Sequence, residues 1–206
     1  MGWSQKEITP IKVLVKTKDG KEEEIIADID DGVRADTTLA GLGKLKGAFK
    51  KDGATTAGNS SQMTDGAAVI LLTKRSIAKA RGLKIIGKVT SYAVAGCPPA
   101  FMGIGPAVAI PEALKKAKIG IKDIDVFEIN EAFASQATYC VEKLGIPKEK
   151  LNPRGGAIAL GHPLGMTGAR MIVTLMHELE RTGKKTGVIS MCIGTGMGAA
   201  GVFERE

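Results

Sequence analysis

Hydrophobic and polar residues alternate in the first part of the chain. Ile11, Val13 and Val15 occupy every second position, with lysines between and after them, which predicts a half-exposed strand. Residues 24–29 supply a partner strand after a short turn, and residues 37–46 carry leucines at the three-residue spacing of a helix. We therefore expect a small appendage with polar faces, which a structured loop connects to the rest of the chain.

From residue 67 onwards the pattern becomes that of an α/β domain. Strands are predicted at 67–72, 84–94, 126–130, 187–192 and 197–203, and helices at 76–81, 106–118, 131–144 and 165–181. The longest predicted helix carries one apolar stripe, made by Ile172, Leu175, Met176 and Leu179. The fold class predicted from these elements is α/β, with layered helices on a mixed sheet.

Composition and charge narrow the class of protein. The 206 residues are 44% hydrophobic and 25% charged, which favours a globular chain, and no apolar run reaches the length of about 18 residues that a membrane helix needs. The net charge of +7 falls entirely on residues 61–206. Because no stacking aromatics or nucleic-acid-binding motif accompany these basic residues, we expect a phosphate-bearing metabolite as partner, with no nucleic acid and no membrane insertion.

The three cysteines and two histidines suggest neither a disulfide framework nor a zinc site. Cys97, Cys140 and Cys192 are widely spaced, so reduced thiols in an intracellular compartment and no metal are expected. Neither Cys97 nor Cys140 stands in a recognisable motif, and both are interpreted as packing residues. The chain shows no targeting signal that can be read from either end.

A histidine stands among glycines in residues 155–165, at the start of the longest predicted helix. A helix N-terminus disfavours protonation of an imidazole, so His162 is suited to accept a proton. The alternative is a histidine that only caps the helix. Asn130 follows a buried strand, where α/β sheets commonly bind ligands. Its alternative is an N-cap, with Glu131 stabilised by the helix dipole.

Cys192 closes an apolar strand and is followed by glycines at every second position. This arrangement predicts an exposed thiol beside backbone N–H groups that can stabilise an oxyanion. The alternative is a buried, unreactive cysteine before a turn. The glycines do not open a helix, so they do not indicate a dinucleotide site.

Four segments, taken together and in this order, resemble the thiolase family. They are AGNSSQ at 57–62, NEAFA at 130–134, GGAIALGHPLG at 155–165 and CIGTGMG at 192–198. The resemblance extends over residues 8–203 and is strongest to the peroxisomal type of 3-ketoacyl-CoA thiolase. It implies a layered αβαβα fold in which residues 1–60 end a CoA-covering loop domain. Residues 61–88 would then be the last segment of the N-terminal half, and residues 89–206 would form the C-terminal half.

The resemblance also implies an activity and a set of site residues. The activity is cleavage of a 3-ketoacyl-CoA to acetyl-CoA and a shortened acyl-CoA, in fatty-acid β-oxidation, with CoA as co-substrate and no permanently bound cofactor. His162 would activate a nucleophilic cysteine, Cys192 would act as general acid and base, and Asn130 and Gly194 would contribute to oxyanion holes. The implied CoA-binding residues are Arg34, Phe49, Ser61, Met102 and Phe133.

One departure from the family bears on activity. The family's nucleophilic cysteine lies in the N-terminal half, and neither Cys97, in a proline-rich loop, nor Cys140, on the outer part of a helix, stands in a matching context. We therefore expect no thiolysis by this polypeptide alone. A milder departure is Arg154, interpreted as a surface residue.

Alternatives in function, assembly and location stay open. The chain would be a truncated acyltransferase or a non-catalytic CoA-binding or dimerising remnant. A β-ketoacyl synthase relative is disfavoured, because such enzymes carry histidine where Cys192 stands. The chain would form a homo-oligomer or pair with a thiolase N-terminal half. A peroxisomal location is implied, with the cytoplasm or mitochondrion as alternatives.

Overall fold

The N-terminal part of the fold is a hairpin followed by a short helix. A computed structural model describes residues 4–206 of the chain. Strand β1, Ile11–Lys16, pairs antiparallel with β2, Glu22–Ala27, so the predicted pair of strands is confirmed. Helix α1 covers only Leu39–Leu42, fewer residues than predicted, between its N-cap Thr38 and its C-cap Gly43.

The central element is a mixed sheet, as predicted, and it has four strands. Its strands are β3 Gly87–Gly96, β4 Val126–Ile129, β5 Thr186–Ile193 and β6 Met197–Arg205. Their order is β3-β6-β5-β4, in which only β4 and β5 are parallel. Strands β5 and β6 form a tight hairpin, whereas a long, largely helical stretch of chain connects β4 to β5, as a parallel connection requires.

Helices cover both faces of this sheet. The helices that pack against it are α3 Gly105–Ala117 and α4 Ala134–Leu144 in one core and α6 Thr167–Thr182 in another; the shorter helices are α2 Arg75–Ala80 and α5 Ala157–Leu160. One core joins α3 and α4 to the sheet through residues such as Ile110, Val141 and Phe127. A second core packs Leu175 and Leu179 of α6 against the sheet. Among the described residues, no helix is long and apolar enough to cross a membrane.

The predicted strand at 67–72 is wrong. This segment has no regular secondary structure, and Val69, Leu71 and Leu72 are mostly exposed. Its apolar composition predicts burial, but no strand among residues 4–206 lies beside it to pair with it.

The helix predicted at 131–144 begins three residues later, at Ala134. Phe133 is extended, with φ −143° and ψ 143°, and it forms an isolated antiparallel bridge with Ser60. The chain after β4 is therefore bound to the loop at 57–62 before it turns into α4. The predicted loop at 98–105 also differs, because Pro99–Ile104 form a 3-10 helix that leads into α3.

Candidate active site

Two of the predicted site residues meet beyond the carboxyl end of β4. Asn130 is fully buried, and its backbone N–H donates to the carbonyl oxygen of Ser190 on the neighbouring strand, at 2.9 Å. Its Nδ2 atom lies 3.2 Å from Nε2 of His162. The sheet thus fixes the backbone of Asn130, and the side-chain amide of this residue contacts the imidazole directly.

The hydrogen bonds around His162 specify its tautomer. The Thr167 hydroxyl donates to the carbonyl oxygen of Pro163 at 2.9 Å, so it accepts from Nδ1–H of His162, 2.7 Å away. The Asn130 amide then donates to Nε2. The neutral ring carries its proton on Nδ1, and Nε2 is the atom with the lone pair.

Burial lowers the pKa of His162, and the positive charge of Arg170 lowers it further. The imidazole is therefore neutral near pH 7, as the sequence predicted. Its position differs from the prediction, because His162 lies five residues before Thr167, the first residue of α6. It is not a helix cap, and burial is the largest cause of its low pKa.

Cys192 is buried, with 7% of its surface exposed, so the prediction of an exposed thiol is wrong. It lies on β5 opposite Gly198, and burial raises the pKa of its thiol. A protonated thiol is the resulting form near neutral pH. At Gly194, in the turn that follows, an added Cβ would meet nothing within 4 Å, so the backbone there is open.

The other two cysteines contact consecutive carbonyl groups of the 3-10 helix. Cys97 Sγ lies 3.9 Å from the oxygen of Met102, and Cys140 Sγ lies 3.6 Å from that of Gly103. Cys140 is fully buried, which corrects its predicted place on the outer part of α4. Burial raises its pKa to about 11, so it is a poor nucleophile.

The predicted CoA-binding residues fall into separate groups. Phe49 and Phe133 form an edge-to-face pair with ring centroids 6.3 Å apart, and Ser61 N–H donates to the Ala132 oxygen at 2.9 Å. Met102 lies in the 3-10 helix beside Cys97. The hydrogen bonds at Arg34 are local, from Thr37 to its carbonyl oxygen.

Sequence reasoning gave no role to Gln62, although it lies in a recognised motif. Its carbonyl oxygen accepts from His162 N–H at 3.0 Å, while its side-chain amide donates to the oxygens of Gly32, Ile158 and Ala159. The sequence signal that could have indicated this role was the side-chain amide of Gln62 at the end of a loop that contains Ser and Gly. Gln62 ties the His162 loop to two other segments.

Glu131 lies before the first residue of α4, so that helix's dipole does not stabilise it. Its side chain instead contacts the glycine-rich segment. Its carboxylate accepts from Asn152 Nδ2 at 2.8 Å and from Ile158 N–H at 3.3 Å. A Cβ added at Gly156 would lie 2.2 Å from Glu131 Cδ. The close approach explains why glycine stands there.

Arg154 is buried, with 6% of its side chain exposed, so its interpretation as a surface residue is wrong. It lies 3.0 Å from Glu178 on α6 and 3.3 Å from Glu7 near the N-terminus. Among the residues described, no group of three or more acidic, histidine or cysteine side chains is arranged to hold a metal ion.

Comparison with known protein families finds a match for the N-terminal and for the C-terminal part of the chain. Residues 83–205 match the thiolase C-terminal domain, and residues 2–76 match the thiolase N-terminal domain. The chain belongs to the thiolase family. The resemblance seen in its motifs is confirmed.

This thiolase-family chain spans about half the length of the curated relatives it matches. It is 62% identical over 204 residues to the peroxisomal 3-ketoacyl-CoA thiolase of Homo sapiens, a match covering 98% of this chain and 48% of the relative. It is 61% identical over 202 residues to peroxisomal 3-ketoacyl-CoA thiolase 2 of Arabidopsis thaliana, covering 97% and 44%.

Solved thiolase structures confirm the predicted fold class. The acetyl-CoA acetyltransferase of Bacillus anthracis superposes with a TM-score of 0.94 at 42% identity, covering all of this chain and 51% of that one. The dimeric peroxisomal thiolase of Saccharomyces cerevisiae gives 0.89 at 50% identity, covering 100% and 50%. Human mitochondrial 3-ketoacyl-CoA thiolase in complex with CoA gives 0.89 at 40%, with the same coverage.

Proposed function

We propose that this chain carries the acid–base part of a thiolase site. The reaction is CoA-dependent cleavage of a 3-ketoacyl-CoA to acetyl-CoA and a shortened acyl-CoA, in fatty-acid β-oxidation. The observation that carries the proposal is the hydrogen-bonded series of buried Asn130, partly buried His162 and buried Thr167, in which Nε2 of a neutral imidazole carries the lone pair that can accept a proton. The peroxisomal names of the relatives support a peroxisomal location.

His162 removes the proton from a nucleophilic cysteine, whose thiolate then attacks the keto carbon. The carbon–carbon bond breaks, and the electron pair leaves as the enolate of acetyl-CoA. The Cys192 thiol supplies the proton to that enolate, a task that suits a thiol kept protonated by burial. Free CoA then attacks the acyl-enzyme: its thiol proton goes to the Cys192 thiolate, and the departing nucleophilic thiolate takes back the proton held by His162, which completes a ping-pong cycle.

Two groups would stabilise the oxyanions. Asn130 Oδ1 is buried without a hydrogen-bond partner among the described residues, so it is available to hold a water beside the His162 ring. The open backbone at Gly194 would supply an N–H group to the second oxyanion. Both roles follow the family resemblance and fit the observed positions.

The CoA site would be formed by residues from the loop and the α/β domain. Phe49, Phe133 and Met102 would line the pantetheine tunnel, Ser61 would lie near the pantetheine arm, and Arg34 would lie near the nucleotide. The related human mitochondrial thiolase has been solved in complex with CoA, which supports CoA as co-substrate. The domain division at residues 60 and 88 stays a prediction.

The nucleophile would come from outside these 206 residues, so we infer that the polypeptide is inactive alone. It would work within an oligomer or paired with a thiolase N-terminal half, and the dimeric state named for the yeast relative supports assembly.

Trapping the acyl-enzyme tests the two proposed roles in a complex with the N-terminal half of a peroxisomal relative. With acetyl-CoA as acyl donor, His162→Ala is expected to abolish acyl-enzyme formation. Cys192→Ala is expected to keep acyl-enzyme formation but to lose proton exchange at the acetyl α-carbon. Equal loss of both steps in both variants would contradict the division of roles, and CoA binding without either step would favour a non-catalytic remnant.

A further inference from the structure

A largely buried ion pair joins α6 to β4, the strand that precedes Asn130. Arg170 Nη1 is 3.5 Å from Oε2 of Glu128, and the two side chains are 16% and 1% exposed. The proposed chemistry does not use either residue. A buried pair of this kind is weak as a source of stability, because desolvation offsets much of the attraction.

The two residues belong to the elements that hold the site. Glu128 lies on β4, two positions before Asn130, and residues two apart on a strand share a face. Arg170 lies on α6, three positions after Thr167, and residues three apart on a helix are neighbours. The ion pair therefore links the strand that precedes Asn130 to the helix turn that orients His162.

The charges around this pair are unbalanced. The pKa of Glu128 is raised to about 8, with burial as the largest cause; Arg170 lowers it, and the carboxylates of Glu7, Glu131 and Glu178 contribute to raising it. Burial also raises the pKa of Asp30, another acid that interacts with Arg170. The positive charge of Arg170 is thus incompletely neutralised, and it acts on His162.

We propose that Arg170, held against Glu128, is a positioning residue that ties α6 to β4 and places a permanent positive charge near the His162 imidazole. The inference rests on the proposed function, in which His162 must be neutral to accept a proton. A cation near the ring favours its neutral form, because protonation would bring two positive charges together.

An NMR titration of the histidine side chains in the 206-residue chain tests this role without any turnover. The chain has only two histidines, so His177 serves as an internal reference. Arg170→Met is expected to move the His162 midpoint to higher pH, whereas Arg170→Lys, which keeps the charge, leaves it near the wild-type value. Glu128→Gln, which keeps the cation, is not expected to raise it.

The inference is overturned if folded Arg170→Met keeps the wild-type His162 midpoint. It is also overturned if Arg170→Lys or Glu128→Gln raises the midpoint as much as Arg170→Met, since packing would then be the cause. Arg170→Gln replaces the Met variant if the latter does not fold. In the reconstituted complex, the acidic limb of the pH–rate profile is expected to shift with the midpoint; a shifted midpoint without thiolysis would contradict only the proposed function.

Discussion

The Thr167 hydroxyl is the smallest group on which the proposed base depends. It is buried, with 1% of the residue exposed, and it joins Nδ1 of His162 to the carbonyl oxygen of Pro163 at 2.7 and 2.9 Å. Thr167→Val keeps the shape of the side chain and removes both hydrogen bonds. Nδ1–H then has no acceptor, and the selection of the Nδ1–H tautomer is lost.

The expected size of the effect follows from these two contacts. A hydrogen bond contributes about 1 kcal/mol net, and leaving a buried partner unpaired costs about 1–3 kcal/mol. A loss of about 1.4 kcal/mol corresponds to about a tenfold change in the ratio of the two tautomers. Loss of the active tautomer is therefore expected to lower thiolysis by Thr167→Val in the reconstituted complex by up to about tenfold, while Thr167→Ser, which keeps a hydroxyl, retains most of it.

The tautomer can be measured directly by long-range 1H–15N correlation of the imidazoles in labelled protein at a pH above the His162 midpoint. The wild type and Thr167→Ser are expected to show Nδ1 protonated, and Thr167→Val a mixture of tautomers or mainly Nε2–H. An unchanged Nδ1–H signal in a folded Thr167→Val variant would refute the assignment of Thr167 as the group that selects the tautomer.

Three further outcomes concern stability and assembly. The pKa of Glu128 is raised from 4.5 to about 8, so the wild type is expected to lose stability as pH rises through this window, by up to about 5 kcal/mol relative to Glu128→Gln. The same pH dependence of the free energy of unfolding in both proteins, measured with urea, would contradict this. Gly156→Ala is expected to cost about 1–3 kcal/mol in urea unfolding through contact with Glu131. Gly165→Ala, with open space, is the control, and equal costs would refute the steric argument. Light scattering is expected to detect self-association through the exposed apolar segment 69–72, and a monomer at all concentrations would argue against it.

Much of the sheet follows from local patterns. The predicted strands at 187–192 and 197–203 correspond to β5 and β6, because an apolar run, a glycine-rich turn and a second apolar run also define a hairpin in the fold. The segment at 67–72 has an equally apolar pattern but no strand. An apolar pattern records a tendency towards burial, and burial requires a partner element that the pattern does not contain.

The site was predictable in its motifs but not in its supporting contacts. Asn130 and His162 stand in recognisable segments, and the structure places them in contact. Arg154 looked like a surface residue, because one of its partners, Glu7, lies 147 positions earlier in the chain. Contacts over such a separation depend on the complete fold, and no local pattern encodes them.

The central claim is that His162 and Cys192 supply the acid–base part of a thiolase site that needs a nucleophile from elsewhere. Its most direct test is a thiolysis assay with acetoacetyl-CoA and CoA, on the 206-residue chain alone and together with the N-terminal half of a peroxisomal relative. We expect no turnover by the chain alone, turnover by the pair, and loss of that turnover in His162→Ala. Family-like turnover by the chain alone, abolished by Cys192→Ala, would contradict the claim.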